Sequence, residues 1–160
     1  MKLWVLRHGQ AEPEAATDAK RPLTEVGRQE VLGMAQRLQQ APLDVILASP
    51  YVRAQQTAEL VREHLKLRHG IVTVDWATPE GAPLAVLDRL AERSEANILL
   101  VSHQPLVGQL LSLAVEGHRQ GHYPMPTAGL ACLDMVLPAA GAAELVELSS
   151  PASAASGPRG

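Results

Sequence analysis

The chain has 160 residues, 46% of them hydrophobic and 19% charged, the composition of one soluble globular domain with one sizeable core. Fourteen Lys and Arg against 17 Asp and Glu leave a formal net charge of -3, with no basic run to attract DNA, RNA or a membrane surface, so neither nucleic acid nor membrane is an expected partner. Apolar runs such as Leu3 to Leu6 and Ile98 to Val101 are far shorter than the roughly 20 residues of a bilayer span, and charge follows so early that no secretory signal is expected; the expected location is the cytoplasm. Leu3–Leu6 reads as the first strand. From Thr24 to Gln40, Val31, Met34, Ala35 and Leu38 recur at helical spacing, with Thr24 as N-cap, Glu25 favourable in the first turn and Gly27 and Gly33 weakening the helix. Val45–Ala48 is the second strand, and beyond Ser49-Pro50 a helix carries Ala54, Ala58, Val61 and Leu65 on one stripe. Ile71–Val74 is a third short strand, followed by a helix from Pro83 to Arg93 with Leu84, Leu87, Leu90 and Ala91 inward. Ile98–Ser102 is continuously apolar and is expected to be central in the sheet.

Pro105 falls in the first turn of a helix bearing Leu106, Val107, Leu110, Leu111 and Ala114, apolar nearly all round and so expected to be well buried. Leu130–Leu137 and Ala143–Leu148 read as strands able to pair as an antiparallel hairpin. Short apolar runs alternating with helical segments predict a three-layer α/β/α domain on a mostly parallel central sheet of about six strands. Residues 1–149 form that single domain, and the Ser, Pro, Ala and Gly of 150–160 predict a disordered tail. Cys132 is the single cysteine, so neither an internal disulfide nor a cysteine zinc site can form, and its apolar neighbours mark it as a packed residue. Trp4, Trp76 and Tyr51 read as core or pocket-wall residues. His64, His69, His118 and His122 match no zinc-ligand spacing and read as structural or solvent-facing.

In open α/β sheets ligands bind beyond the carboxyl ends of the strands. There the first strand ends in Arg7-His8-Gly9, the second runs through Ser49-Pro50 to Arg53, and the fourth ends in Ser102-His103. Two arginines and two histidines therefore converge on one sheet edge. Arg53 and His103 also stand at helix starts, whose free N–H groups favour an anion. Guanidinium forks suit the oxygens of a dianion such as phosphate, and Gly9 would let the backbone approach a bound oxyanion. A neutral imidazole is a nucleophile, and cationic neighbours favour that form; His8, behind Arg7, fits the role.

Arg7-His8-Gly9, Leu23-Thr24 with Gly27, the run from Ser49 to Ala58, and Ser102-His103 together resemble the histidine phosphatase superfamily, with its phosphoglycerate-mutase-like fold. The short chain, the Asp18 to Pro22 segment and the run from His103 to Gly108 resemble its SixA-type phosphohistidine phosphatases. The first triplet alone is weak; the ordered set of four motifs is specific. The resemblance implies a two-step phosphoryl transfer without metal or other cofactor. In it His8 attacks phosphorus, a phosphohistidine enzyme forms, and water hydrolyses it. Carried over residue by residue, His8 is the nucleophile, Arg7 and Arg53 clamp the phosphoryl oxygens, and His103 donates a further hydrogen bond. Arg21 matches a position near the mouth that meets phosphate, or it forms a loop ion pair with Asp18. The implied substrate is a phosphorylated protein, a histidine phosphotransfer domain in signal transduction. Clamping also follows from the chemistry alone, because the transition state spreads its charge over the equatorial oxygens.

The general acid is where the pattern departs. Larger members place a Glu or Asp after the third strand to protonate an alkoxide leaving group; here the candidate is Glu80, with Asp18 a second. A phosphorylated imidazole can be protonated on its own ring, so P–N cleavage asks less of an enzyme acid than P–O cleavage. Two alternatives stay open: a phosphatase for small phosphomonoesters with Glu80 as acid, and a non-catalytic phosphoprotein-binding module using the same pocket. With few loop residues to build walls, the pocket is expected to be shallow and rimmed by Ala11 to Lys20.

Overall fold

A computed structural model describes residues 1–151; the tail expected over 150–160 lies, from 152 on, outside the described residues. Six strands form one sheet: β1 (Lys2–Arg7), β2 (Val45–Ala48), β3 (Ile71–Thr73), β4 (Asn97–Ser102), β5 (Leu130–Met135) and β6 (Ala143–Ser149). Their order is β3-β2-β4-β1-β5-β6. The first four in that order are parallel, and β5 and β6 continue the sheet antiparallel, so the sheet is mixed and mostly parallel. β4 is central, as its unbroken apolar run predicts.

Successive side chains of a strand point to opposite faces, and β1 shows the consequence. Leu3 and Val5 join a core with α3 (Pro83–Ala91) and α4 (Leu106–Glu116). Trp4 and Leu6 join a second core with α1 (Glu25–Ala35) and α2 (Val52–Leu65). The domain is therefore three layers, α1 and α2 over one face and α3 and α4 over the other. Cys132 is packed in the second core. No helix of the described residues is long and apolar enough to cross a membrane.

Thr24 caps α1 as expected, its hydroxyl accepting the Gly27 N–H at 2.9 Å. Gly27 is more than a weak point in that helix. A side chain there would run into the Gln10 carbonyl oxygen, and a Cβ on Gly9 would lie 2.6 Å from the Gly27 carbonyl oxygen. Both glycines thus serve the backbone-to-backbone approach of α1 to the segment leaving β1, a packing reason for Gly9 beside the oxyanion approach expected of it. The inward stripe of α3 also differs from the expected one. Pro83, Val86, Leu87 and Leu90 are buried, while Leu84 is 57% exposed and Ala91 faces solvent. The stripe spaced i, i+3, i+4, i+7 starts one residue earlier, at the proline that opens the helix. β5 stops at Met135 because Val136 and Leu137 enter the hairpin turn exposed, and Pro105 caps α4 from just outside it.

Strand register sets the site. Arg7 pairs with Ser102 across β1 and β4, and Ala48 pairs with Val101 across β2 and β4. β1 and β4 therefore end level and β2 one residue earlier, so that His8, Ser49 and His103 emerge together at one sheet edge.

Candidate active site

The backbone of His8 is pinned on both sides: its N–H donates to the Ser102 carbonyl at 3.1 Å, and its carbonyl accepts the Ala128 N–H at 2.9 Å. Its ring Nδ1 lies 2.7 Å from the Gly9 carbonyl oxygen. A carbonyl can only accept, so Nδ1 carries the proton and the lone pair of the neutral ring sits on Nε2. That lone pair faces a donor, the Arg53 Nε–H, at 3.3 Å.

Arg53 stands in the first turn of α2 with its side chain only 4% exposed. Its guanidinium carbon lies 5.0 Å from the Tyr51 ring centroid, a cation–π contact. One Nη donates to the Asp18 main-chain carbonyl at 2.7 Å and the other to the Asp18 carboxylate at 3.2 Å. Arg21 donates to the second carboxylate oxygen of Asp18 at 2.8 Å and to the Glu12 carbonyl at 2.9 Å. Both readings of Arg21 meet here: it forms the ion pair with Asp18, and it lines the same cavity as His8.

His103 stands 5.0 Å from His8, ring centroid to centroid, with Tyr51 edge-on at 4.9 Å. Its Nε2 lies 2.8 Å from the Ser49 hydroxyl, which already accepts the Tyr51 N–H. With the serine O–H given to Nε2, the ring proton sits on Nδ1, a buried atom without a partner among the described residues. Arg7 donates to the Met125 carbonyl at 3.1 Å, and its buried Nε likewise has no partner among those residues. Thr57, on α2, accepts the Gly9 N–H and donates to the Arg53 carbonyl, joining the two segments that carry nucleophile and clamp.

Burial pushes the His8 imidazole down to about 4, with the positive charges of Arg53, Arg7 and Arg21 acting in the same direction and the Gly9 carbonyl opposing them. Burial also takes His103 down to about 3, helped by His8, which would have to carry a proton beside it in acid, and by the charge of Arg53. Both rings are neutral at physiological pH. Cationic neighbours contribute as the sequence predicts, but desolvation is the larger cause.

Arg7, His8, Arg21, Arg53 and His103 line one cavity of about 390 Å³ with Gln10, Ala11, Asp18, Pro79, Gln104 and Thr127. The clustering of nucleophile, clamp and second histidine thus matches the expectation from the strand ends. Glu80 does not share it: the preceding Pro79 reaches the wall, whereas Glu80 is exposed in the turn beyond. A larger groove of about 610 Å³ runs along α1 past Val26, Met34 and Arg37 and holds neither histidine. Among the described residues no group of three or more His, Cys, Asp or Glu side chains is placed to hold a metal ion. Trp4 is core, Trp76 packs against the opposite core, and Tyr51 backs both Arg53 and His103. His118 bonds to its own loop, and the ring nitrogens of His69 are shielded from solvent.

Sequence reasoning passed over Gln10, Gln104, Thr127 and Glu30. Glu30, on α1, accepts the Gln10 N–H at 2.9 Å and the Thr127 hydroxyl at 3.2 Å, tying two rims of the cavity together. Its one signal in sequence is a helical position three residues after Gly27, which faces the segment leaving β1.

Comparison with known proteins agrees with this geometry. Residues 3–75 match the family model of the histidine phosphatase superfamily (branch 1). The phosphohistidine phosphatase SixA of Escherichia coli (strain K12) is 38% identical over 117 residues, covering 70% of this chain and 73% of that protein. The SixA homolog of Haemophilus influenzae is 36% identical over 124 residues, 70% of this chain and 76% of its own. A structure of the protein histidine phosphatase SixA complexed with tungstate superposes with a TM-score of 0.85 at 32% identity, covering 96% of this chain and 99% of that one. A likeness that runs through both sequence and fold makes the chain a member of the histidine phosphatase superfamily.

Proposed function

We propose that the protein hydrolyses phosphohistidine side chains of a phosphorylated protein by way of a phosphoryl group carried on His8. The lone pair of His8 Nε2 attacks phosphorus as the P–N bond of the substrate breaks, and the electron pair leaves with the substrate imidazole. Arg7, Arg53 and the Nδ1–H of His103 take up the charge on the three transferring oxygens, with Arg21 at the mouth meeting the incoming phosphate. Charge in that transition state lies on those oxygens, so fixed donors around them are the main source of rate. Water then attacks the phosphoryl group, inorganic phosphate leaves, and His8 Nε2 regains its lone pair. The residues themselves supply nucleophile and clamp, and the reaction needs no metal.

One observation carries the choice of substrate: among the described residues the cavity has a nucleophile and a clamp but no carboxylic acid free to protonate a leaving group. Glu80 is exposed and off the wall. Asp18 is held well below the usual carboxylate range, first by Arg21 and then by Arg53, so it stays ionised. An alkoxide would leave unaided, whereas a phosphorylated imidazole brings its own protonation site. The relatives named for phosphohistidine hydrolysis, and the tungstate, a tetrahedral oxyanion, in the similar SixA structure, support the same reading. A histidine phosphotransfer domain of a cytoplasmic signalling relay is the substrate we propose, because a cavity with His8, Arg7, Arg53 and His103 on its wall suits a phosphorylated side chain presented by another protein.

Purified protein in excess chelator should release phosphate rapidly from a phosphorylated phosphotransfer domain and slowly from p-nitrophenyl phosphate. His8→Ala should abolish both, and Glu80→Gln should leave the first within about twofold. Preferential ester hydrolysis that collapses in Glu80→Gln would establish the phosphomonoesterase instead. Phosphate release undiminished in His8→Ala would refute the covalent route, and binding without turnover would leave the phosphoprotein-binding module.

A further inference from the structure

Arg53 is the buried cation whose Nε–H faces the attacking atom, and its remaining contacts decide whether it stays there. Both of its Nη groups are taken by one residue, Asp18, through the main-chain carbonyl at 2.7 Å and one carboxylate oxygen at 3.2 Å. The other carboxylate oxygen takes the Nε–H of Arg21 at 2.8 Å. Asp18 opens a short 3-10 turn, Asp18–Lys20, and its side chain is 58% exposed while that of Arg53 is 4% exposed.

We infer that Asp18 is a positioning residue, the one that holds the Arg53 guanidinium with its Nε–H on His8 Nε2 and fixes Arg21 to it at the mouth. The inference rests on the phosphoryl transfer proposed above and deepens it. A guanidinium offers five N–H donors in a rigid fork. With one hydrogen from each Nη committed to Asp18, the plane of the fork is set, and the Nε–H is aimed where the N–P bond forms. When phosphorus takes the lone pair of His8, that N–H passes to a phosphoryl oxygen without reorientation. Two Nη hydrogens remain for the same group. Asp18 does this from the Nη side of the fork, and its bonds go to Arg53 and Arg21 rather than to the reacting nitrogen. The guanidinium carbon lies over the Tyr51 ring, 5.0 Å from its centroid, a non-directional contact that leaves the orientation of the fork to Asp18. An ionised carboxylate in this place is the opposite of a proton donor, so the residue considered as an acid in the sequence becomes an orienting anion.

The test uses the full chain and phosphoramidate, a small P–N donor, in single turnover. His8 Nε2 forms its bond to phosphorus as the donor P–N bond breaks, and the nitrogen departs as ammonia. In Asp18→Ala the rate of His8 phosphorylation at saturating donor should fall between about tenfold and a hundredfold, the scale set by losing orientation of a reacting group. The apparent donor affinity should change less than about threefold, because lost preorganisation and lost charge repulsion oppose each other. The Arg53 Nε–H resonance of the free protein should be slow to exchange in wild type and lost to exchange in the variant. Asp18→Asn, which keeps one oxygen acceptor and no charge, should fall between the two and serves if the alanine variant loses its fold. An unchanged rate with an unmoved Arg53 resonance would overturn the inference. So would faster phosphorylation in Asp18→Ala, which would make Asp18 a competitor for the anion site. Failure of the wild type on a phosphorylated protein substrate would sink the proposed function alone, since the Arg53 resonance reads the positioning directly.

Discussion

Lowering the pH tests whether burial keeps His8 a nucleophile. Its imidazole sits at about 4 against about 6.5 for a free one. At pH 5 about nine-tenths of His8 is then neutral, whereas about one-thirtieth of an unperturbed imidazole would be, an advantage of about 30-fold in nucleophile. The same shift is a stability statement with a definite sign. The folded-state value lies below the unfolded one, so the unfolded chain takes up the proton first. His8 therefore contributes fully above pH 6.5, and its contribution is lost as pH falls toward about 4. From His8 alone the loss between pH 7.5 and pH 4.5 comes to about 2.5 kcal/mol. The assay is twofold. Histidine ring resonances, assigned with His8→Ala and His103→Ala, should not titrate for either residue above pH 5. Urea unfolding at pH 7.5 and pH 4.5 should show the wild type losing about 2.5 kcal/mol more than His8→Ala. A His8 midpoint near 6.5, or equal pH losses in wild type and variant, would refute the account of a desolvated nucleophile.

Two glycines of one helix should respond oppositely to alanine. Gly33 has open space around its Cβ position, so Gly33→Ala should raise stability by about 1 kcal/mol. Gly27→Ala drives a methyl group into the Gln10 carbonyl and should cost about 2 kcal/mol or more; chemical unfolding of the pair compares them, and equal effects would contradict the close approach. Ser49→Ala removes the partner of His103 Nε2 in a fully buried place. It should cost about 1–2 kcal/mol and slow phosphoryl transfer about tenfold, read by unfolding and by single-turnover phosphorylation; an unchanged rate would show that His103 needs no orienting serine.

β1, β2 and β4 were readable because each is an apolar run buried on both faces, and Arg7-His8 and Ser102-His103 were readable as a site because parallel pairing leaves the ends of β1 and β4 level. Thr24 was readable as a cap because capping is local chemistry. Relations between distant backbones were not. Arg53 and Asp18 are 35 residues apart in sequence, and nothing local says that the carbonyl of a 3-10 turn will meet a guanidinium. The roles of Gly9 and Gly27 depend on how closely two backbones approach, which no helix propensity records. In α3 the spacing admits two neighbouring stripes, and Leu84 and Ala91 lost to Pro83 and Val86 once the helix start was set. The depressed pKa of His8 was foreseeable in direction, but its leading cause, burial, is a property of the assembled layers.

Burial and charge would work against each other here if their placement were different. A neutral histidine nucleophile needs desolvation and positive neighbours, and the same desolvation penalises the arginines that must bind the anion. Carboxylates relieve that penalty, yet a carboxylate facing His8 would raise its pKa and repel phosphate. The fold separates the two demands in space. Glu30, whose charge stabilises the Arg7 cation, sits outside the cavity wall and acts from behind Gln10 and Thr127. Asp18 takes the Nη side of Arg53 and leaves the Nε side to His8. Arg53 thus keeps its compensating anion on the Nη side and its Nε–H on the nucleophile, while the Arg7 Nε has no partner among the described residues. A phosphoryl group on His8 can then take the Arg53 Nε–H and the unpartnered Arg7 Nε–H while the Arg53–Asp18 pair stays in place.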